Sequence, residues 1–163
     1  MKTERDVASS AVVEEFVVKF EQEFSLVLID SSIWSSTFEH AWVVDSGATK
    51  HMTGVYDSFQ TITISQPRHF IQTDVDSPQI SIQEVGTIRF QLDLGEFLDI
   101  HGVLFVPGMR VSKISVSSFE DDGYGMMICS GHIFLYQRDE PIGATILLGD
   151  RRDILYVLRG HVV

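Results

Sequence analysis

Near the start of the chain, apolar residues recur at helical spacing. Val13, Phe16, Val17, Phe20 and Phe24 stand three and four apart, with Glu14, Glu15, Lys19, Glu21 and Gln22 between them. This predicts a helix within residues 4–24. Ser25 then opens Leu26-Val27-Leu28-Ile29, an apolar run that reads as a short strand, and residues 30–41, which hold four serines after Asp30, form a loop anchored by Ile33 and Trp34. From Trp42 onward the period shortens to that of strands. Phe59 to Ile64 alternates until Pro67 closes the run, and Gly86 to Leu92 alternates throughout. Phe97–Ile100 and Val103–Val106 follow as separate runs, the second stopped by Pro107-Gly108. Ser115 to Asp122 predicts one short helix, and further strands are expected over Gly125–Cys129, His132–Gln137, Ala144–Leu148 and Ile154–Leu158. Short strands at this spacing indicate a mainly β barrel or sandwich with little helix.

Between two of these strands lies a hairpin layout. Phe70-Ile71-Gln72-Thr73 and Gln79-Ile80-Ser81-Ile82 flank Asp74-Val75-Asp76-Ser77-Pro78. The chain divides by pattern into an N-terminal extension (1–40), a core (41–129) and a C-terminal β-rich extension (130–163).

Composition narrows the function classes. With 163 residues, 44% of them hydrophobic, there is material for one ordinary core. The net charge of −11 and scattered Lys and Arg argue against a nucleic-acid partner for this domain. No apolar run is long enough to cross a bilayer, and the N-terminus lacks the basic-then-apolar order of a signal peptide, so no membrane partner is expected. A single cysteine, Cys129, points to a reducing, intracellular and cytoplasmic setting. The six histidines show no ligand spacing with one another or with Cys129, and read as surface or loop residues rather than a metal site; no cofactor is expected.

The chemistry concentrates at Trp42-Val43-Val44-Asp45-Ser46-Gly47-Ala48-Thr49. An apolar strand delivers one carboxylate, Asp45, into a loop with almost no side-chain bulk. Such a loop suits a carboxylate that meets a second one, the pair sharing one proton and activating a water. The ordinary alternative is an Asx-turn at a strand end, with Ser46 and Gly47 as turn residues. A serine nucleophile at Ser46 is disfavoured, since the Gly-x-Ser-x-Gly elbow is missing.

Asp-Ser-Gly-Ala after an apolar pair resembles the signature loop of aspartic peptidases, in a single copy as in the retroviral type. The wider pattern resembles the protease region of copia-type retrotransposon polyproteins. Trp42 to Gly54 is close to that family's tryptophan, two apolar residues, DSGAT-x-HMTG form. Val85-Gly86-Thr87-Ile88, Val103 to Gly108, Ile114-Ser115-Val116-Ser117, Asp121-Asp122-Gly123-Tyr124 and Gly149 to Leu158 continue it in the family's order.

The resemblance implies a retropepsin-like acid-protease β-barrel, one half-site per chain, that dimerises through the active-site loop. It implies Asp45 as the catalytic residue and Ser46, Gly47, Ala48 and Thr49 as loop support. Thr73, Asp74, Val75, Asp76, Ser77 and Pro78 would form the substrate-covering flap. It further implies a polypeptide substrate, the Gag–Pol polyprotein, in the cytoplasm or a virus-like particle. Val103–Val106 with Ile114–Phe119 would supply the strand-and-helix unit beneath the loop, and residues 130–163 would lead toward the pre-integrase segment.

Two departures bear on activity. Asp76-Ser77-Pro78 replaces the usual Asp-Gly flap tip, and proline stiffens a segment that must move. Lys113 stands where an apolar residue normally packs beneath the loop, and its ammonium is expected to snorkel outward. These departures motivate an alternative, a catalytically silent dimerisation or peptide-binding module of retroelement origin.

Overall fold

β1 (Trp42–Asp45) is the strand around which the others are placed. It runs parallel to β6 (Ser112–Ser115) on one side and antiparallel to β10 (Leu155–Leu158) on the other. The computed structural model describes residues 40–71, 80–107, 109–140 and 144–163, nearly all of them in one compact unit made of residues 39–69 and 81–163. The helix expected within 4–24, the strand at Leu26–Ile29 and the hairpin tip Thr73–Pro78 lie outside the described residues.

The remaining strands are β2 (Met52–Thr53), β3 (Thr61–Ile71), β4 (Ile80–Leu92), β5 (Phe97–Phe105), β7 (Tyr124–Cys129), β8 (His132–Gln137), β9 (Ile146–Arg152) and β11 (Gly160–Val162). One short helix, α1 (Val116–Asp121), follows β6. The sheet order is β11-β4-β5-β2-β6-β1-β10-β9-β8-β7, with β3 paired to β4.

This sheet curls into a barrel. β10 ends at Leu158 and β11 begins at Gly160, so one residue, Arg159, joins two strands that stand far apart along the hydrogen-bonded path. Trp42 on β1 and Phe90 on β4 agree with that closure. In a flat sheet four inter-strand steps would separate them by about 19 Å, yet their rings meet edge to face at 6.4 Å between centroids. Gly160 turns the corner with φ +129°, and a side chain there would meet the Gln91 carbonyl.

The core inside the curl is apolar. Ile88, Phe90, Leu98, Ile100, Val103, Ile114, Phe119, Ile133, Leu135 and Leu148 are all buried within it. β8 shows why the sequence pattern works, since Ile133 and Leu135 are fully buried while His132 and Gln137 at its ends are exposed. Residues 130–163 supply β8 to β11 to the same sheet as β1.

Several strands differ from their expected bounds. The two runs expected at Phe97–Ile100 and Val103–Val106 join in one strand, β5, which ends at Phe105 and whose inward phase shifts at Gly102, where φ is +65°. β3 does not stop at Pro67 but continues to Ile71. Among the described residues β3 pairs with β4 alone, and an edge strand tolerates a missing N–H donor. The expected helix is present one residue shorter at each end, with Ser115 as its N-cap.

Candidate active site

The parallel pairing of β1 with β6 sets the geometry of this site. Trp42, Val43, Val44 and Asp45 align with Ser112, Lys113, Ile114 and Ser115. Alternation sends Trp42 and Ile114 into the core and places Val43, Asp45, Lys113 and Ser115 on the opposite face. Asp45 and Lys113 are therefore diagonal neighbours on one face of two adjacent strands.

Asp45 is 9% exposed as a residue, and its carboxylate is held at both oxygens. The Gly47 backbone N–H donates to Oδ1 at 2.8 Å, and the Lys113 ammonium donates to Oδ2 at 2.9 Å. The first contact is the Asx-turn of the ordinary reading, reinforced by Ala48 N–H donating to the Asp45 carbonyl at 3.4 Å. The second corrects the expectation for Lys113. Its side chain is 28% exposed, so the stem does reach the surface, but the ammonium turns to Asp45 instead of to water. An ionised partner compensates the desolvation that an ammonium would otherwise suffer.

Beneath the loop lies a buried hydroxyl network. Ser115 Oγ donates to the Ala48 carbonyl at 2.7 Å and accepts from Ser118 N–H at 3.1 Å, which caps α1. Ser118 Oγ donates to the Thr49 carbonyl at 3.2 Å. The Ser115 N–H donates to His51 Nδ1 at 3.1 Å. His51 lies in the loop before β2, one of the two places expected for it, but it is 1% exposed and edge-on to Phe119, packed under the active-site loop as a neutral ring instead of at the surface. Burial, with a smaller effect from the Lys50 charge, lowers its pKa to about 4. Thr53 and Ser112 pair through their hydroxyls at 2.7 Å, satisfying two buried polar groups on β2 and β6.

Thus Ala48 is buried and its carbonyl is anchored, while Ser46, Gly47 and Thr49 are exposed at the loop tip. The residues that anchor the loop, Ser115, Ser118 and His51, carry a faint signal in sequence. Ser115 precedes an apolar–polar alternation at helical spacing, as N-caps do, but nothing local marks His51 as buried. Among the described residues no group of three or more His, Cys, Asp or Glu side chains could hold a metal ion, and Cys129 is free and exposed. Residues 72–79, and with them the flap side chains Thr73 to Pro78, lie outside the described residues, and β3 and β4 are the paired arms on either side.

Residues 42–124 match the family described as "Pol polyprotein, beta-barrel domain". No curated protein and no solved structure matches the chain. The matched span runs from the first residue of β1 through β6 and α1 to the first residue of β7, and so contains Asp45, its loop and the residues that seat them. The chain belongs to the Pol polyprotein β-barrel domain family and represents a region of a retroelement Gag–Pol polyprotein.

Proposed function

We propose that this domain is the aspartic endopeptidase of a copia-type Gag–Pol polyprotein, with Asp45 as half of its catalytic pair. A second copy of the chain supplies the other Asp45 through the same loop. The observation that carries this reading is the seating of Asp45: a buried carboxylate at a strand end, oriented by the Gly47 N–H, beneath an exposed tip of Ser46 and Gly47. A tip with so little bulk lets two loops approach, and Ser46 hydroxyls would hydrogen-bond across the pair.

In the dimer the two carboxylates share one proton. The ionised member takes a proton from a bound water, which attacks the scissile carbonyl. The protonated member donates to that carbonyl oxygen, and a proton passes to the leaving nitrogen as the bond breaks. An extended polypeptide binds by strand addition beneath the β3–β4 hairpin. The work is intracellular, in the cytoplasm or a particle assembled from the polyprotein. The test is hydrolysis of a quenched fluorescent peptide at mildly acidic pH, with and without a statine-type inhibitor. The native chain cuts and is inhibited, and Asp45→Asn stays dimeric and does not cut. Cleavage by folded Asp45→Asn removes the assignment.

A second reading is favoured by one contact. The Lys113 ammonium on Oδ2 pairs Asp45 with a cation of its own chain, as suits a silent dimerisation or peptide-binding module. A native dimer that binds peptide and never cuts it would establish that reading.

A further inference from the structure

We infer that Lys113 is a counter-ion latch on the catalytic carboxylate: it holds Asp45 in the single chain and must leave Oδ2 before two such groups can share a proton. The inference rests on the endopeptidase reading and adds a residue to that centre.

The pairing follows from the strand register. Lys113 aligns with Val43 on β1 and with Met52 on β2, so its backbone is fixed mid-sheet, two residues before Ser115, which aligns with Asp45. From there its stem runs along the shared face to the carboxylate at 2.9 Å. A carboxylate that accepts from Gly47 N–H on one oxygen and from an ammonium on the other is satisfied as the anion. A catalytic pair needs one neutral member, because one carboxyl must donate to the carbonyl while the other accepts from water.

Two latched chains would bring two anions and two cations together. Each carboxylate then already has a cation beside it, so the loops can meet without sharing a proton, and acid and base are never differentiated. The latched dimer is assembled and silent.

The two partners differ in how freely they can part. The Lys113 side chain is 28% exposed and the Asp45 side chain 8%. The more exposed ammonium is therefore the member that can move out of the pair, whereas the carboxylate stays seated by Gly47. A peptide and its attacking water, entering the cleft, take the place that the ammonium leaves.

The test compares native chain, Lys113→Met and Lys113→Arg, each confirmed as a folded dimer. A quenched fluorescent peptide with an apolar central pair gives kcat and KM, and calorimetry gives the affinity for a statine-type inhibitor, whose hydroxyl seats between the carboxylates. Lys113→Met should raise kcat roughly tenfold with KM little changed, and tighten the inhibitor by a similar factor. Lys113→Arg, which keeps the cation, should raise kcat less than Lys113→Met does.

A measurement on the native protein needs no variant. With nitrogen-15 label, the Lys113 ammonium should give a slowly exchanging proton signal that disappears when inhibitor binds. A native enzyme that cuts, with Lys113→Met no faster and the ammonium signal unmoved by inhibitor, overturns the latch and leaves the endopeptidase standing. If native chain and Lys113→Met both fail to cut and both ignore the inhibitor, the endopeptidase reading falls and the latch with it.

Discussion

His51 Nδ1 accepts the backbone N–H of Ser115 at 3.1 Å, which puts the ring's own proton on Nε2, a buried atom with no hydrogen-bond partner among the described residues. Charging this ring would remove the acceptor that Ser115 uses and bury a cation. Its folded pKa of about 4 lies below the ordinary histidine value of 6.5. Between those values the unfolded chain binds the proton and the folded chain does not, so stability is complete above pH 6.5 and falls as pH drops toward 4. The loss is about 3 kcal/mol by linkage. Urea unfolding across that interval should show a steep pH dependence in the native chain and a flatter one in His51→Gln. Equal slopes would refute it.

The contact between Asp45 and Lys113 should appear as an energetic coupling. Removing either partner leaves the other charge with less compensation, but the Lys113 side chain is partly exposed, so the cost stays below that of a fully buried pair. Asp45→Asn and Lys113→Met should each cost about 1–2 kcal/mol, and the double variant less than their sum by about 1 kcal/mol. Denaturant midpoints of the four proteins measure it. Strict additivity would mean the ion pair contributes nothing in solution.

Ser115 Oγ performs two tasks at once, capping α1 and holding the Ala48 carbonyl. Ser115→Ala should therefore cost about 2 kcal/mol, combining a lost cap with a buried carbonyl left unpaired. Ser117, whose hydroxyl meets Ser115 Oγ at 3.0 Å, is the control. Ser117→Ala should cost well under half as much in thermal unfolding.

Gly160 is required by the corner between β10 and β11. Gly160→Val places a branched side chain at φ +129° and against the Gln91 carbonyl. It should cost about 1–3 kcal/mol and loosen β11 first. Hydrogen exchange at the Val163 amide, which donates to the Arg89 carbonyl, reports this directly. Protection there equal to the native chain's would show that the corner is unnecessary.

These sites show where sequence was informative. β8 stands at its expected bounds because period-two burial writes itself into alternation, and β7 and β10 stand within one residue of theirs although their burial does not alternate. β2 and β6 were invisible for the opposite reason. They are short and partly polar, and Thr53 and Ser112 are buried by satisfying each other across a separation of 59 residues. That Asp45 ends an apolar strand in a loop of small residues was readable from the residue types. The partners that seat it were not, since Lys113 reaches it across 68 positions and His51 lies buried without any local pattern that requires it. Pro67 misled through a sound rule applied to the wrong kind of strand, since on an edge the missing donor breaks no ladder.

The neighbours of β1 have one more consequence, and it concerns time. Val43 is aligned with Lys113 on one side and Val157 on the other, so both flanks of the strand are built from segments synthesised long after it. Hairpins such as β7–β8 form within about 1–10 μs, whereas topologies ruled by such distant pairings fold in about milliseconds to seconds. A ribosome that has delivered the Asp45 loop has not yet delivered the strands that seat it. The nascent chain therefore carries its acidic centre unassembled until translation has passed β10.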